Sequence, residues 1–116
     1  MEERPWGRFF VLDKGPVYQV KRLEVDPGKR ISYQLHFDRM EFWTIVSGVG
    51  KLTLEDQDRE VKLGDQVCVM PEAPHRIENT GKTPLVIIEV QMGKRIREDD
   101  IVRLSDDYGR AKEGEV

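Results

Sequence analysis

The chain has 116 residues, of which 35% are charged and 38% hydrophobic. This length suits one domain with a single core and leaves no room for a catalytic domain beside a separate binding domain. The 19 basic and 22 acidic residues give a net charge of -3 without a basic block, which argues against nucleic-acid binding but leaves a small anionic metabolite as a possible ligand.

Short strands separated by turns follow one another through the first half of the chain. "VYQVKRLEV" leads into the turn "DPGK", and "RISYQLH" and the β-branched, aromatic "EFWTIVSG" come next. "KLTLEDQDREVKLG" predicts a hairpin whose turn falls in the polar residues 55–59.

The second half continues in the same way. "DQVCVM" stops at two nearby prolines, "HRIEN" precedes the turn "TGKTP", and "LVIIEVQ" is the most apolar strand. A series of about eight strands predicts an all-β fold, either an antiparallel sandwich or a small barrel. Residues 97–110, with a few apolar side chains among charges, are expected to form a short C-terminal helix or turn.

Targeting signals and cysteine usage indicate the compartment. Residues 1–7 have no basic region followed by an apolar one, and the longest apolar run, residues 85–88, is far too short for a membrane span. We therefore predict a cytoplasmic protein that contacts neither membrane nor nucleic acid. Cys68, the single cysteine, cannot form an internal disulfide, and its apolar neighbours predict a small buried side chain rather than a nucleophile.

The stretch "SYQLHFDRMEFW", residues 32–43, carries three candidate metal ligands. Side chains alternate across a strand, so Gln34 and His36 point to one face, and Glu41 follows five residues later. His75, the other histidine of the chain, would complete the set on a returning strand. Two imidazoles, a carboxylate and an amide oxygen suit one divalent ion, with zinc expected first and manganese, iron, cobalt or nickel as alternatives. A coordination position left free for water would make the bound ion a Lewis acid.

The spacing of these ligands follows two motifs. From Gly28 to Gly48 the pattern is G-x5-Q-x-H-x4-E-x6-G, and from Gly64 to Asn79 it is G-x10-H-x3-N. These runs resemble the paired motifs of the cupin superfamily, with Gln in place of the usual first His. The resemblance implies a double-stranded β-helix, a small antiparallel jelly-roll barrel, in which the four ligands converge on a divalent metal.

Longer stretches narrow the resemblance to one family. The runs "RPWG", "YQVKR", Q-x-H-x-x-R-x-E-x-W, "HRIEN" and "IEVQMGKRIREDDIVRLSDDYGR" are similar to the type II mannose-6-phosphate isomerase family. That domain is usually the C-terminal part of bifunctional phosphomannose isomerase and mannose-1-phosphate guanylyltransferase. The resemblance implies an isomerase that interconverts mannose 6-phosphate and fructose 6-phosphate by proton transfer between C1 and C2. It covers one domain, with a barrel core at about residues 17–92 and an extension at about 93–116.

Departures from the family keep other functions open. Phe37, Asp38 and Phe42 stand where the family commonly carries additional His residues. The alternatives are a non-catalytic cupin that binds a sugar or nucleotide sugar, and a metal-dependent oxygenase on the same fold. The family resemblance also implies a homodimer, which agrees with the need of small sheets to protect their edges.

The implied reaction needs a base and a cationic hold on a phosphorylated sugar. Lys21 and Glu89 each alternate with apolar neighbours on a strand, so both are candidate catalytic residues that point into the barrel. Arginine suits phosphate because its planar guanidinium binds in a bidentate way. The available arginines are Arg39, Arg76, Arg103 and Arg110, of which Arg39, Arg76 and Arg110 are the predicted phosphate ligands. Arg39 and Arg110 lie in family-like motifs, and Arg39 is also predicted to act in catalysis.

Overall fold

The computed structural model describes residues 1–111, which form eleven strands and no helix. The strands are β1 (Glu2–Arg4), β2 (Gly7–Lys14), β3 (Tyr18–Val25), β4 (Tyr33–Leu35), β5 (Met40–Ser47), β6 (Val49–Leu54), β7 (Gln57–Lys62), β8 (Gln66–Val69), β9 (His75–Asn79), β10 (Leu85–Met92) and β11 (Val102–Ser105). The predicted all-β class is therefore confirmed. Residues 112–116 of the predicted extension lie outside the described residues.

Two antiparallel sheets form the molecule. The larger sheet has the order β1-β2-β3-β10-β5-β8, and the smaller has the order β11-β4-β9-β6-β7. Strands distant in sequence lie side by side, as β3 and β10 do, which gives the jelly-roll topology of a double-stranded β-helix. The N-terminal strands β1 and β2 join the larger sheet outside the predicted barrel core of residues 17–92.

The inward-facing positions of the larger sheet change from apolar to polar along the strands. At one end Leu85 pairs with Val25 as part of the hydrophobic core. At the other end Glu89 pairs with Lys21, and Gln91 pairs with Gln19 and with the inward-facing Glu41 of β5. These polar side chains are buried, because alternation along each strand directs them between the sheets. The polar end of the sandwich is therefore where a site can form.

Of the predictions for the hairpin and for the C-terminal segment, the first is confirmed and the second is wrong in part. The predicted hairpin is present, and its turn is the two-residue Glu55-Asp56, with φ of 50° and 66°. The predicted C-terminal helix or turn is wrong in part, because residues 102–105 form strand β11, which pairs with β4. Val102 and Leu104 are two residues apart, a spacing that suits a strand at the edge of a sheet.

Cys68 also differs from its prediction. Its side chain is exposed, because β8 directs Val67 and Val69 inward and Cys68 outward. The apolar neighbours from which burial was predicted, Val67 and Val69, point to the opposite face of the same strand.

Gly48 and Gly64 allow a matched test of the packing between the sheets. Both have positive φ, 88° and 92°, so an alanine strains the backbone by about 1 kcal/mol at either position. Only at Gly48 would the new Cβ meet neighbours, the carbonyl oxygen of Pro84 at 2.8 Å and Cα of Leu85 at 3.0 Å. We expect Gly48→Ala to lower the free energy of unfolding in urea by about 2 kcal/mol more than Gly64→Ala. Equal losses would contradict the close approach of β10.

Candidate metal centre

His36, Glu41 and His75 come together between the two sheets. Glu41 lies on β5 of the larger sheet and His75 on β9 of the smaller sheet, while His36 directly follows β4 of the smaller sheet. All three are buried, and their ligand atoms lie within 4.8 Å of one another. Nε2 of His36 is 3.4 Å from Oε2 of Glu41, and Nε2 of His75 is 3.8 Å from Oε1.

Backbone carbonyls fix the orientation of both imidazoles. Nδ1 of His36 donates to the carbonyl oxygen of Asp100 at 2.6 Å, and Nδ1 of His75 donates to that of Ala73 at 2.9 Å. Each Nε2 therefore faces Glu41 with its lone pair free of a proton. Nε2 of His75 is buried without a hydrogen-bond partner, a costly arrangement unless the nitrogen binds something. The donor set therefore fits a divalent metal ion.

The protonation states agree with metal binding. Burial lowers the pKa of His36 to about 4 and also lowers the pKa of His75, so both rings are neutral at neutral pH. Burial alone would raise the pKa of Glu41, but its interactions with His75, with a hydrogen-bonding Glu89 and with the Arg39 guanidinium lower it below its ordinary value. The set at neutral pH is thus two neutral imidazoles and one carboxylate.

Gln34, the predicted fourth ligand, lies beside this set on β4. Its amide nitrogen is 3.4 Å from Nε2 of His36, while its Oε1 accepts a hydrogen bond from Oγ of Ser32 at 2.7 Å. The amide has to turn before its oxygen can bind an ion. Gln34 as a metal ligand therefore stays a prediction.

Arg39 is buried directly against the donor atoms. Its Nε donates to Oε2 of Glu41 at 2.8 Å, and its Nη2 lies 3.2 Å from Nε2 of His36. A divalent ion would compete with the guanidinium for these two atoms, so metal binding requires Arg39 to withdraw from His36. The structure adds the contact between Arg39 and the metal ligands. The catalytic role predicted for Arg39 stays a prediction.

Glu89 and Lys21 both point into the barrel, as the strand pattern predicts. Burial first, and then the charge of Glu41 and a hydrogen bond to it, raise the pKa of Glu89 well above its ordinary value. This raised pKa favours the protonated form of Glu89, and its role as the catalytic base stays a prediction. Nζ of Lys21 pairs with Oε1 of Glu98 at 2.5 Å and lies 4.0 Å from the centroid of the Phe9 ring.

A cavity opens beside the donor set, with His36, Gln34 and Glu89 in its wall. The cationic side chains that line it are Arg4, Lys21, Arg39, Arg103 and Arg110.

The three predicted phosphate-binding arginines differ in their positions. Arg39 and Arg110 reach the cavity, although Arg110 is also held by a bidentate ion pair with Asp106. Arg76 lies outside this cavity, and its guanidinium donates to the carbonyl oxygens of Ile31 and Ser105. The structure therefore gives Arg76 a part in holding the backbone and no support as a phosphate ligand.

Asp100 is a site residue that the sequence did not reveal. Besides accepting from His36, it binds the backbone N–H groups of Phe37 and Asp38 through its carboxylate, both at 2.9 Å. It thereby fixes the loop that carries His36. The only sequence signal was its place in the C-terminal family-like run, which does not show what it contacts.

Solved structures similar to this chain show its fold. A protein from Klebsiella pneumoniae with a double-stranded β-helix domain superposes with a TM-score of 0.77 at 18% identity, covering 89% of this chain and 88% of that one. The Cnp3 cupin domain of Schizosaccharomyces pombe gives a TM-score of 0.71 at 17% identity, covering 73% and 63% of the two chains. The fold is that of the cupins, as predicted.

Within the cupins, the chain belongs to the family described as Mannose-6-phosphate isomerase C-terminal, whose model matches residues 2–106. It is 42% identical over 107 residues to a mannose-1-phosphate guanylyltransferase of Escherichia coli, covering 92% of this chain. It is 44% identical over 110 residues to the alginate biosynthesis protein AlgA of Pseudomonas aeruginosa, covering 95% of this chain. The chain spans only 22% and 23% of the lengths of these two relatives.

These relatives correct the predicted activity. The prediction of a mannose-6-phosphate isomerase is wrong, because the relatives at 39–45% identity that are named by activity are mannose-1-phosphate guanylyltransferases, which are nucleotidyltransferases. Family membership is thus shown, and the isomerase activity inferred from it is not. Through residue 111, the structure contains no helix of the length and apolarity needed to cross a membrane.

Removing His75 tests the metal centre. We expect His75→Ala to weaken divalent metal binding at least a hundredfold, because one of only two imidazoles is lost. The control is Asn79→Ala, which truncates another fully buried polar side chain of β9 but leaves the three ligands in place. Calorimetric titration with zinc and element analysis measure both variants. Full metal occupancy in the His75→Ala protein would contradict the site.

Glu89 offers a test by pH. The pKa of Glu89 is raised in the folded protein, whereas in the unfolded chain its carboxyl group releases the proton at its ordinary pKa of 4.5. Between these two pKa values the free energy of unfolding of the wild type therefore falls as the pH rises. Glu89→Gln removes this pH-dependent loss of stability, because glutamine does not titrate. In metal-free protein, the variant's advantage in unfolding free energy should grow by about 1.4 kcal/mol per pH unit above pH 4.5 and level off at the folded pKa. A difference that is constant with pH would show that Glu89 is ionised in the folded state.

Proposed function

We propose that this domain is a metal-dependent binding module for a phosphorylated sugar. The observation that carries the proposal is one cavity beside the metal-ligand set, with His36 of that set in its wall and five cationic side chains around it. Zinc is the first candidate ion, because two imidazoles and a carboxylate are a common zinc set. No turnover is assigned to the domain by this proposal.

The charge of the cavity favours an anionic ligand. Five cationic and two acidic side chains line it, and the Lys21–Glu98 ion pair cancels one charge of each sign. The raised pKa of Glu89 favours its neutral form, so the balance around the cavity is positive. Positive side chains around a cavity with low-dielectric walls attract phosphate and strengthen its hydrogen bonds. Arg39 is placed to take part, because it contacts both the ligand set and the cavity.

The rest of the cavity suits a sugar ring. Trp6, Phe9 and Leu23 line it on the side of the larger sheet and offer an apolar surface to the C–H groups of a hexose. Gln34 and Gln91 add amide groups that can bind hydroxyls. A bound metal would supply a Lewis-acid contact to a sugar oxygen.

The comparisons suggest which sugars to try. The family description refers to mannose 6-phosphate, and several relatives are named for mannose 1-phosphate. Those relatives are more than four times as long as the part they share with this chain, so their whole activity is not transferred to it. Of the two alternatives in the sequence analysis, the binding module is retained, and no specific feature of the cavity favours the oxygenase.

Binding of the phosphate group can be measured directly. In calorimetric titrations of zinc-loaded protein, we expect mannose 1-phosphate or mannose 6-phosphate to bind at least tenfold more tightly than mannose. Lys21→Met keeps the apolar stem and removes the charge, and should weaken phosphosugar binding about tenfold. Lys51→Met, on the exposed part of β6, is the control and should bind as the wild type does. Equal affinity for mannose and its phosphates would contradict the proposal.

A further inference from the structure

Gln91 carries a buried hydrogen-bond acceptor that has no donor. The residue lies on β10, faces inward and is 1% exposed. Its Oε1 has no hydrogen-bond partner among residues 1–111. A buried carbonyl oxygen of this kind is costly, because it loses its hydrogen bonds to water without a replacement. Since Gln91 also lines the cavity, its free oxygen indicates a ligand that donates a hydrogen bond.

The orientation of the Gln91 amide is set by Glu89, two residues earlier on the same face of β10. Nε2 of Gln91 donates to Oε1 of Glu89 at 2.9 Å, so the nitrogen end of the amide is occupied. Glu89 is also hydrogen-bonded to Glu41, and the proton of that bond lies between the two carboxyl groups. The Glu89 oxygen that faces Gln91 is therefore an acceptor, and turning the amide would bring two acceptors together. Oε1 is thus the end of the amide that is left for a ligand.

The register of the larger sheet places this acceptor beside the metal centre. Gln91 pairs with Glu41 on β5 and with Gln19 on β3, and all three side chains are buried between the sheets. Neighbouring strands lie about 4.8 Å apart. A ligand in the part of the cavity next to His36 and Glu41 is therefore within reach of Gln91.

The other polar side chains of the cavity do not offer such an atom. Lys21 can only donate, and it is paired with Glu98. Oε1 of Gln34 already accepts a hydrogen bond from Oγ of Ser32 at 2.7 Å. Of the cavity side chains that the structure describes, Gln91 is the one with a buried acceptor that has no partner.

We propose that Gln91 determines the specificity of the cavity by accepting a hydrogen bond from one hydroxyl of the bound sugar. This inference rests on the proposed function and names the group of the ligand that is recognised. A deoxy analogue would leave the buried acceptor unpaired, and a carbonyl in the same place would set a second acceptor against it. The cavity therefore selects a ligand with a hydroxyl at this position.

Deoxy sugars test the role of Gln91. Calorimetric titrations of zinc-loaded protein compare the tighter-binding mannose phosphate with its 2-, 3- and 4-deoxy analogues. We expect the wild type to bind one analogue at least tenfold more weakly than the parent sugar. Gln91→Met keeps the length of the side chain and removes the acceptor, so it should bind that analogue and the parent sugar about equally. Gln91→Leu, which also lacks the acceptor, should give the same result.

Two further variants serve as controls. Gln91→Glu keeps an acceptor oxygen in the same place and should retain the tenfold preference. Gln19→Met makes the matched substitution at the paired position of β3, outside the cavity wall, and should also retain it. Urea unfolding of the ligand-free proteins checks the fold. The midpoint of Gln91→Met should stay close to that of the wild type, because the substitution removes one hydrogen bond together with one unpaired acceptor.

The outcomes separate this inference from the proposed function. If Gln91→Met and Gln91→Leu bind the parent sugar and still reject the same analogue tenfold, the role of Gln91 is overturned and phosphosugar binding stands. Equal affinity of the wild type for the parent sugar and all three analogues would overturn the role of Gln91 as well. A wild type that binds neither mannose phosphate would overturn the proposed function, and this inference with it.

Discussion

The carboxylate of Glu41, buried between two sheets, is the group around which the site is organised. An unpaired charge in such a place would cost several kcal/mol, so its neighbours must compensate it. Arg39 donates to one oxygen, and Nε1 of Trp43 donates to the other at 3.0 Å. A hydrogen bond with Glu41 raises the pKa of Glu89, which favours the protonated form that can donate to the carboxylate. The two imidazoles approach the same carboxylate. A divalent ion would take over part of this compensation.

The strands determine where this cluster can exist. Inward positions of β3, β5 and β10 are apolar at one end and polar at the other, so one set of strands builds both the core and the site. Trp43 lies between the core and the site, since its ring is buried in the core and its Nε1 donates a hydrogen bond to Glu41.

The sequence could predict the meeting of His36, Glu41 and His75 because their spacing combines strand alternation with two paired motifs. It could not predict contacts made by distant segments, and Asp100, 64 residues from His36, is the main example. Arg76 is the opposite case: it follows the ligand His75 in sequence, but its guanidinium donates to backbone carbonyl oxygens instead of reaching the site. Cys68 was misplaced because apolar neighbours on a strand belong to the opposite face. The isomerase assignment failed for another reason, since a shared domain does not fix the activity of the proteins that contain it.

The buried set around Glu41 is proposed to bind a metal through both imidazoles. X-ray absorption spectroscopy of the protein loaded with one equivalent of zinc is the sharpest test of this site. We expect two imidazole nitrogens at about 2.0 Å together with oxygen ligands. A shell of oxygen alone, or one that contains the sulfur of the exposed Cys68, would contradict it.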